Sequence, residues 1–216
     1  MKKRNYYLFT LLWIFTAFSG TSQNNWALKD EKEGIRIYSR NNQNSKFNEL
    51  KVELQLNAKL TDLAAIILDI ENHFKWSYNT KTSHVLKRIS NSELFFYKII
   101  NAPWPASDRD LVVHLRIKQE PHTRVMTIRE ENVQDYLPPK KNIVRVPLSK
   151  EIWTVTPVDK KTLKIEYYLD VDPGENAPAW LINIFATKGP FETFKNLRLQ
   201  IQQPKYQLAA IPFILN

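Results

Sequence analysis

Between positions 47 and 56 the apolar residues Leu50, Val52, Leu54 and Leu56 fall on every second place. That period lines them along one face of a β-strand. Ile35–Arg40 reads as the strand before it, and 26–32 as a short helix before that. The period then lengthens. In "LTDLAAIILDIENHF" the residues Leu63, Ile66, Ile67, Ile70 and Phe74 form one stripe of an α-helix, with Thr61 as its N-cap. Strand-like runs return at 82–90, 93–101, 109–119, 122–131, 142–147, 150–157 and 162–171. Their short polar links predict antiparallel hairpins.

The character changes again at "DPGENAPAW". Asp172-Pro173-Gly174 signals a turn, and Pro178 suits the first turn of a helix. From 178 to 203 the apolar positions, Trp180, Leu181, Ile184, Phe185, Phe191, Phe194, Leu197 and Ile201 among them, are helical. Pro190 lies inside this run and predicts a kink, because it has no amide hydrogen. The expected fold class is α+β: a large curved antiparallel sheet, one helical excursion, and a long C-terminal helix that closes an apolar space against the sheet.

One strand start carries chemistry. In "NAPWPASDRDLVVHL" the alternation puts Arg109 on the inner face with Leu111, Val113, Leu115 and Ile117. Asp110 falls on the other, wet face with Val112, His114, Arg116 and Lys118. An inward guanidinium stays charged and needs an acceptor. A carboxylate or carbonyl of the protein can supply it, and so can the phosphate or carboxylate of a ligand whose tail lies along the apolar face. Arg145, in "NIVRVP", is a second candidate inward cation, and an outward place on an edge strand is the other reading. On the strand 162–171 Tyr167 is the one polar group among Leu163, Ile165, Leu169 and Val171.

"PWPASDRDLV" resembles the Pro-x-Pro, Arg-Asp signature of the START lipid-transfer domain, and "VRVPLSKEIWTVTPV", "IEYYLDVDPG" and "PAWLINIF" follow in that family's order. The resemblance covers about residues 26–203. It implies a helix-grip fold, in which a curved sheet wraps a tunnel and the C-terminal helix is the lid. It also implies lipid binding or transfer, with Arg109 in the place where the phosphatidylcholine-binding branch contacts the lipid phosphate. That branch has an acid four positions later, where this chain has Val113. The sterol-transfer branch pairs an inward acid with an arginine, at positions occupied here by Phe96 and Leu115. The family often has two glycines after Asp-Pro, whereas this chain has Gly174-Glu175. The ligand-binding residues so expected are Arg109, Leu111, Val113, Leu115, Arg145 and Tyr167 on the sheet. Trp180, Leu181, Ile184 and Phe185 are those expected on the lid.

Composition narrows the alternatives. Four scattered glycines leave no room for a phosphate-binding glycine loop, and the chain has no cysteine. His73, His84, His114 and His122 fall on separate elements without ligand spacing, so they read as surface histidines, and no metal site or cofactor is expected. Ser107 has no nucleophile elbow around it. Glu130 and Glu131 read as a solvated hairpin end, with one inward carboxylate as the other reading. An enzyme is therefore not expected. The alternative is a cyclase- or hydrolase-like member of the wider superfamily, which needs polar groups inside the tunnel.

At the N-terminus Lys2, Lys3 and Arg4 precede an apolar run and the small residues Ser19, Gly20, Thr21 and Ser22. These mark a cleavable signal peptide over 1–22, a single domain over 23–216, and export, with a periplasmic location expected. Without the signal the charge is 28 basic against 22 acidic residues, a net +6. The excess suits transient contact with an anionic membrane surface and is otherwise a solvated surface; nucleic acid is not an expected partner, and the protein is expected to be a monomer.

Overall fold

A computed structural model describes residues 26–174 and 177–216; the expected signal peptide lies outside the described residues. Ten strands form one sheet: β1 (Ala27–Lys32), β2 (Ile35–Arg40), β3 (Glu49–Asn57), β4 (Thr80–Ser90), β5 (Glu93–Ile100), β6 (Asp108–Gln119), β7 (Met126–Asn132), β8 (Ile143–Arg145), β9 (Leu148–Pro157) and β10 (Thr162–Asp172). Their order is β1-β2-β3-β10-β9-β7-β6-β5-β4, and β8 joins β6. Helix α1 (Leu60–Leu68) and a 3₁₀ helix (Ile70–Lys75) make the excursion between β3 and β4. The C-terminal helix runs as α2 (Ala179–Asn183), a π-helical segment (Ile184–Lys188) and α3 (Gly189–Gln200), followed by the short α4 (Pro204–Gln207).

Four expectations need correction. The segment predicted as a helix over 26–32 is strand β1, paired antiparallel with β2. Glu33 and Gly34 both have positive φ, 51° and 69°, the geometry of a two-residue hairpin turn, and that turn overrides a local helical pattern. Thr61 is not the N-cap. Lys59 is, and the Asp62 carboxylate accepts the Lys59 amide at 2.9 Å, while Thr61 is buried against Asn216. Phe74 leaves the apolar stripe because α1 gives way to the 3₁₀ helix, whose three-residue turn changes the phase, and its side chain is exposed. The short β8 runs parallel to β6, so not every neighbour is a hairpin partner.

The inner faces of the strands form the core. Ile35 and Ile37 of β2, Val52 and Leu56 of β3, and Ile165 of β10 are buried in one cluster with Leu63, Ile66 and Ile67 of α1. Helix α3 lays Phe194 and Leu197 into this layer. Phe194 meets Trp153 and Tyr167 with ring centroids 5.1 and 5.2 Å apart. Burying one such ring contributes about 2–3 kcal/mol, and edge-on aromatic contact adds about 0.5–1.5 kcal/mol. These contacts fix α3 on the sheet.

Pro190 enters as the second residue of α3, just after the π-helical segment. The expected break therefore takes the form of a widened turn. The turn that leads to the lid needs its glycine: Gly174 has φ 91°, and a Cβ there would stand 2.8 Å from Val144 Cγ1.

A cavity with a buried arginine and an acidic wall

Sheet and lid enclose a cavity of ≈ 640 Å³. Its wall is set by strand parity. On β6 the inward residues Arg109 and Leu111 line it, on β5 Lys98 and Ile100, and on β10 Tyr167, Leu169 and Val171. From the lid come Ala179, Ile182, Phe185 and Phe194.

Arg109 takes the inward position read from the sequence. It is buried, donates to the Ser107 carbonyl, and leaves its Nε without a partner among the described residues. Burial holds its pKa below the ordinary guanidinium value, against the attraction of Asp108. Asp108 itself is engaged elsewhere: it accepts from Lys81 Nζ at 2.9 Å and from the Ala102 amide at 3.1 Å. The arginine thus lines the cavity without a carboxylate bound to it among the described residues.

Asp110 and Arg145 depart from the sequence reading. Asp110 is fully buried and not on a wet face. Its two oxygens accept Arg145 Nε at 2.7 Å and Arg145 Nη2 at 3.1 Å, and the Tyr97 hydroxyl donates to it at 2.7 Å. Parallel pairing of β8 with β6 brings Arg145 opposite Asp110 and covers that face. Arg145 is therefore a structural partner of Asp110 and does not line the cavity.

The remaining expected site residues divide. Leu111, Tyr167 and Phe185 line the cavity with Arg109. Val113 and Leu115 share the inward face but are buried in the core beyond the cavity. Trp180 is exposed, Leu181 is fully buried, and neither these nor Ile184 reaches the lining. Ala179, Ile182, Asn183, Phe185 and Ala186 are the residues of α2 and the π-helical segment that do.

The sequence reading missed an ionic cluster on the wall. Glu130 on β7 and Glu151 on β9 are directly opposed in the ladder, and both point inward. Lys98 Nζ lies 3.3 Å from Glu151 Oε1 and 4.0 Å from Glu130 Oε2. The Tyr167 hydroxyl donates to Glu151 at 3.0 Å. Burial lowers the Lys98 pKa, but Glu151 and Glu130 together raise it above its usual value, so the ammonium persists. Burial first, then Glu151, pushes the Glu130 carboxyl up to about 8, against the pull of Lys98. Parity could have found all three. Lys98 alternates with Phe96 and Ile100, Glu130 with Met126 and Ile128, and Glu151 with Trp153 and Val155.

His73 is also not a surface histidine. It is buried beside Trp76 and Phe96, and its Nε2–H donates to the Ile67 carbonyl at 2.8 Å. That carbonyl belongs to the last turn of α1 and would otherwise be orphaned. Burial holds the His73 pKa down to about 4, despite that bond, with Lys98 adding to the drop. Among the described residues no group of His, Asp and Glu side chains has metal-binding proximity.

Comparison with known proteins agrees with this architecture. The family model described as the START domain matches residues 16–206. An uncharacterised protein of Pseudomonas aeruginosa is 25% identical over 185 residues, covering 86% of this chain and 91% of its own. The phosphatidylcholine transfer protein of Bos taurus is 28% identical over 178 residues, covering 80% of this chain and 81% of its own. The crystal structure of a STAR-related lipid transfer protein fragment from Xanthomonas axonopodis superposes with a TM-score of 0.75 at 34% identity, over 82% of this chain and 99% of that one. The chain belongs to the START domain family.

Proposed function

We propose that the protein binds one acyl lipid in this cavity, with an acidic group of the lipid held by Arg109 and the tail against Leu111, Trp153 and the lid. The observation that carries this reading is the buried Arg109 side chain, which lines a cavity of ligand size and has no carboxylate bound to it among the described residues. A buried guanidinium without an anion is costly, and a phosphate or carboxylate relieves that cost through charge-assisted hydrogen bonds. The phosphatidylcholine transfer proteins and the STAR-related lipid transfer protein among its relatives support a lipid ligand. Carriage of that ligand between membranes, rather than its chemical conversion, is the role proposed, and export to the periplasm is the location.

The test is native mass spectrometry of protein purified gently from its own host. The expected result is a retained species whose mass matches an acidic or phosphorylated lipid. Recovery of the ligand in a chemically altered form on incubation would replace the carrier by an enzyme.

A further inference from the structure

We propose that Glu130, Glu151, Lys98 and Tyr167 form a second polar subsite on the cavity wall, which binds a hydroxyl group carried part-way along the acyl chain of the ligand. The inference rests on the reading of the cavity as a lipid site and names a substrate feature within it.

The arrangement is expensive as mere structure. Two ionised carboxylates directly opposed across a ladder would repel, and burial makes each harder to keep ionised, so a second carboxyl here is kept at a cost. One carboxylate is enough for Lys98, and Glu151 is that one, held also by Tyr167. Glu130 is surplus to the pair. It lies 4.0 Å from Lys98 Nζ, beyond hydrogen-bond reach, and takes no hydrogen bond from the protein among the described residues. Its same-face neighbours on β7, Met126 and Ile128, are fully buried hydrophobic residues, so an apolar side chain would satisfy this position. Instead the carboxyl lines the cavity with open hydrogen-bonding capacity.

Its protonation state selects the ligand chemistry. Burial beside Glu151 pushes the Glu130 pKa up, which favours the un-ionised carboxyl. A protonated carboxyl is both donor and acceptor, and a hydroxyl is the neutral group that matches both. An ammonium is the poorer match, because Lys98 already places one beside the carboxyl. The position selects where the hydroxyl sits. Glu130 is paired across from Leu115, six residues along β6 from Arg109, so the subsite is separate from the anion site. A ligand with its acidic head at Arg109 would meet Glu130 along its chain.

Lipid-free protein is titrated with stearic acid, with hydroxystearic acids whose hydroxyl is stepped along the chain, and with 12-aminostearic acid. The expected result is that at least one hydroxystearic acid binds about tenfold more tightly than stearic acid, the value of one buried hydrogen bond. Glu130→Gln, which still donates and accepts, retains the preference. Glu130→Leu abolishes the preference, read as the ratio of hydroxystearic to stearic acid affinity within the same variant, with a melting curve to show that the variant is folded. Equal binding of all acids, or a preference that survives Glu130→Leu, overturns the subsite and leaves the lipid reading standing. Tighter binding of the amine overturns it in favour of a cation site. If no fatty acid binds at all, the subsite falls, and the lipid reading falls with it only if the gently purified protein also retains no lipid.

Discussion

Arg145 closes over Asp110 with two parallel hydrogen bonds, and the carboxylate between them has no exposure to solvent. This pair separates the two residues of the Arg-Asp motif into different jobs. Asp110 ties β6 to β8, while its neighbour Arg109 turns to the cavity. Removal of one partner from a buried pair leaves an uncompensated charge, at about 3–5 kcal/mol. Asp110→Asn and Asp110→Ala should therefore lower stability by that order in denaturant unfolding, with the greater loss in Ala. A loss below about 1 kcal/mol would mean that β8 is not held by this contact.

Arg109→Leu should behave in the opposite way. The change removes a buried guanidinium with an unpartnered Nε, so melting should be unchanged or higher. Binding of acidic lipids should weaken about 10- to 100-fold, since charge-assisted hydrogen bonds contribute about 1.5–3 kcal/mol each. Vesicle-based transfer assays across head groups measure this. Intact head-group selectivity in the variant would remove Arg109 from the site.

Acid should weaken the fold through His73. Its folded pKa of about 4 lies below the ordinary value of 6.5, so the unfolded chain binds a proton that the native chain rejects. Stability is then fully present above pH 6.5 and is lost as pH falls toward 4, by about 3 kcal/mol in all. Lys98 and Asp69 are the charges that act on the ring, and Lys98 stays charged throughout this range. In urea unfolding across pH, His73→Gln should show a flatter profile between pH 6.5 and 4 than the parent. An unchanged slope would assign the acid loss to the carboxylates.

The lid can be tested at residues that face the cavity. Ile182→Asp should speed ligand loss with little change in melting, because Ile182 lines the cavity and is only partly buried. Leu181→Asp should unfold the lid, since Leu181 is fully buried. Stopped-flow displacement beside a melting curve distinguishes the two. Equal effects on both measurements at Ile182 would make it ordinary core.

The succession of strands, the curved sheet and the closing helix were legible because alternation and turn residues are local signals. The inward place of Arg109 followed from the same alternation. Asp110 was misread because parity reports a face, and not what covers it. The segment 134–146 returns over that face from a distant part of the chain, and its Arg145 supplies the partner. Lys98, Glu130 and Glu151 were within reach of parity, yet each charge had a plausible solvated reading alone. Only their convergence from β5, β7 and β9 reveals a cluster.

The π-helical segment at Ile184–Lys188 has a consequence for how the lid can diversify. A wider turn inserts an extra step of about 100° between the residues before it and those after it. Helix α2 and helix α3 are thus phased independently against the same sheet. Phe194 stays anchored on Trp153 whatever α2 presents to the cavity. Loss of one residue between Ile184 and Lys188 would restore a uniform helix and rotate α2 about its axis, bringing a different set of its side chains over the ligand. A single codon deletion could then redraw the roof of the cavity while the ten strands beneath it stay as they are.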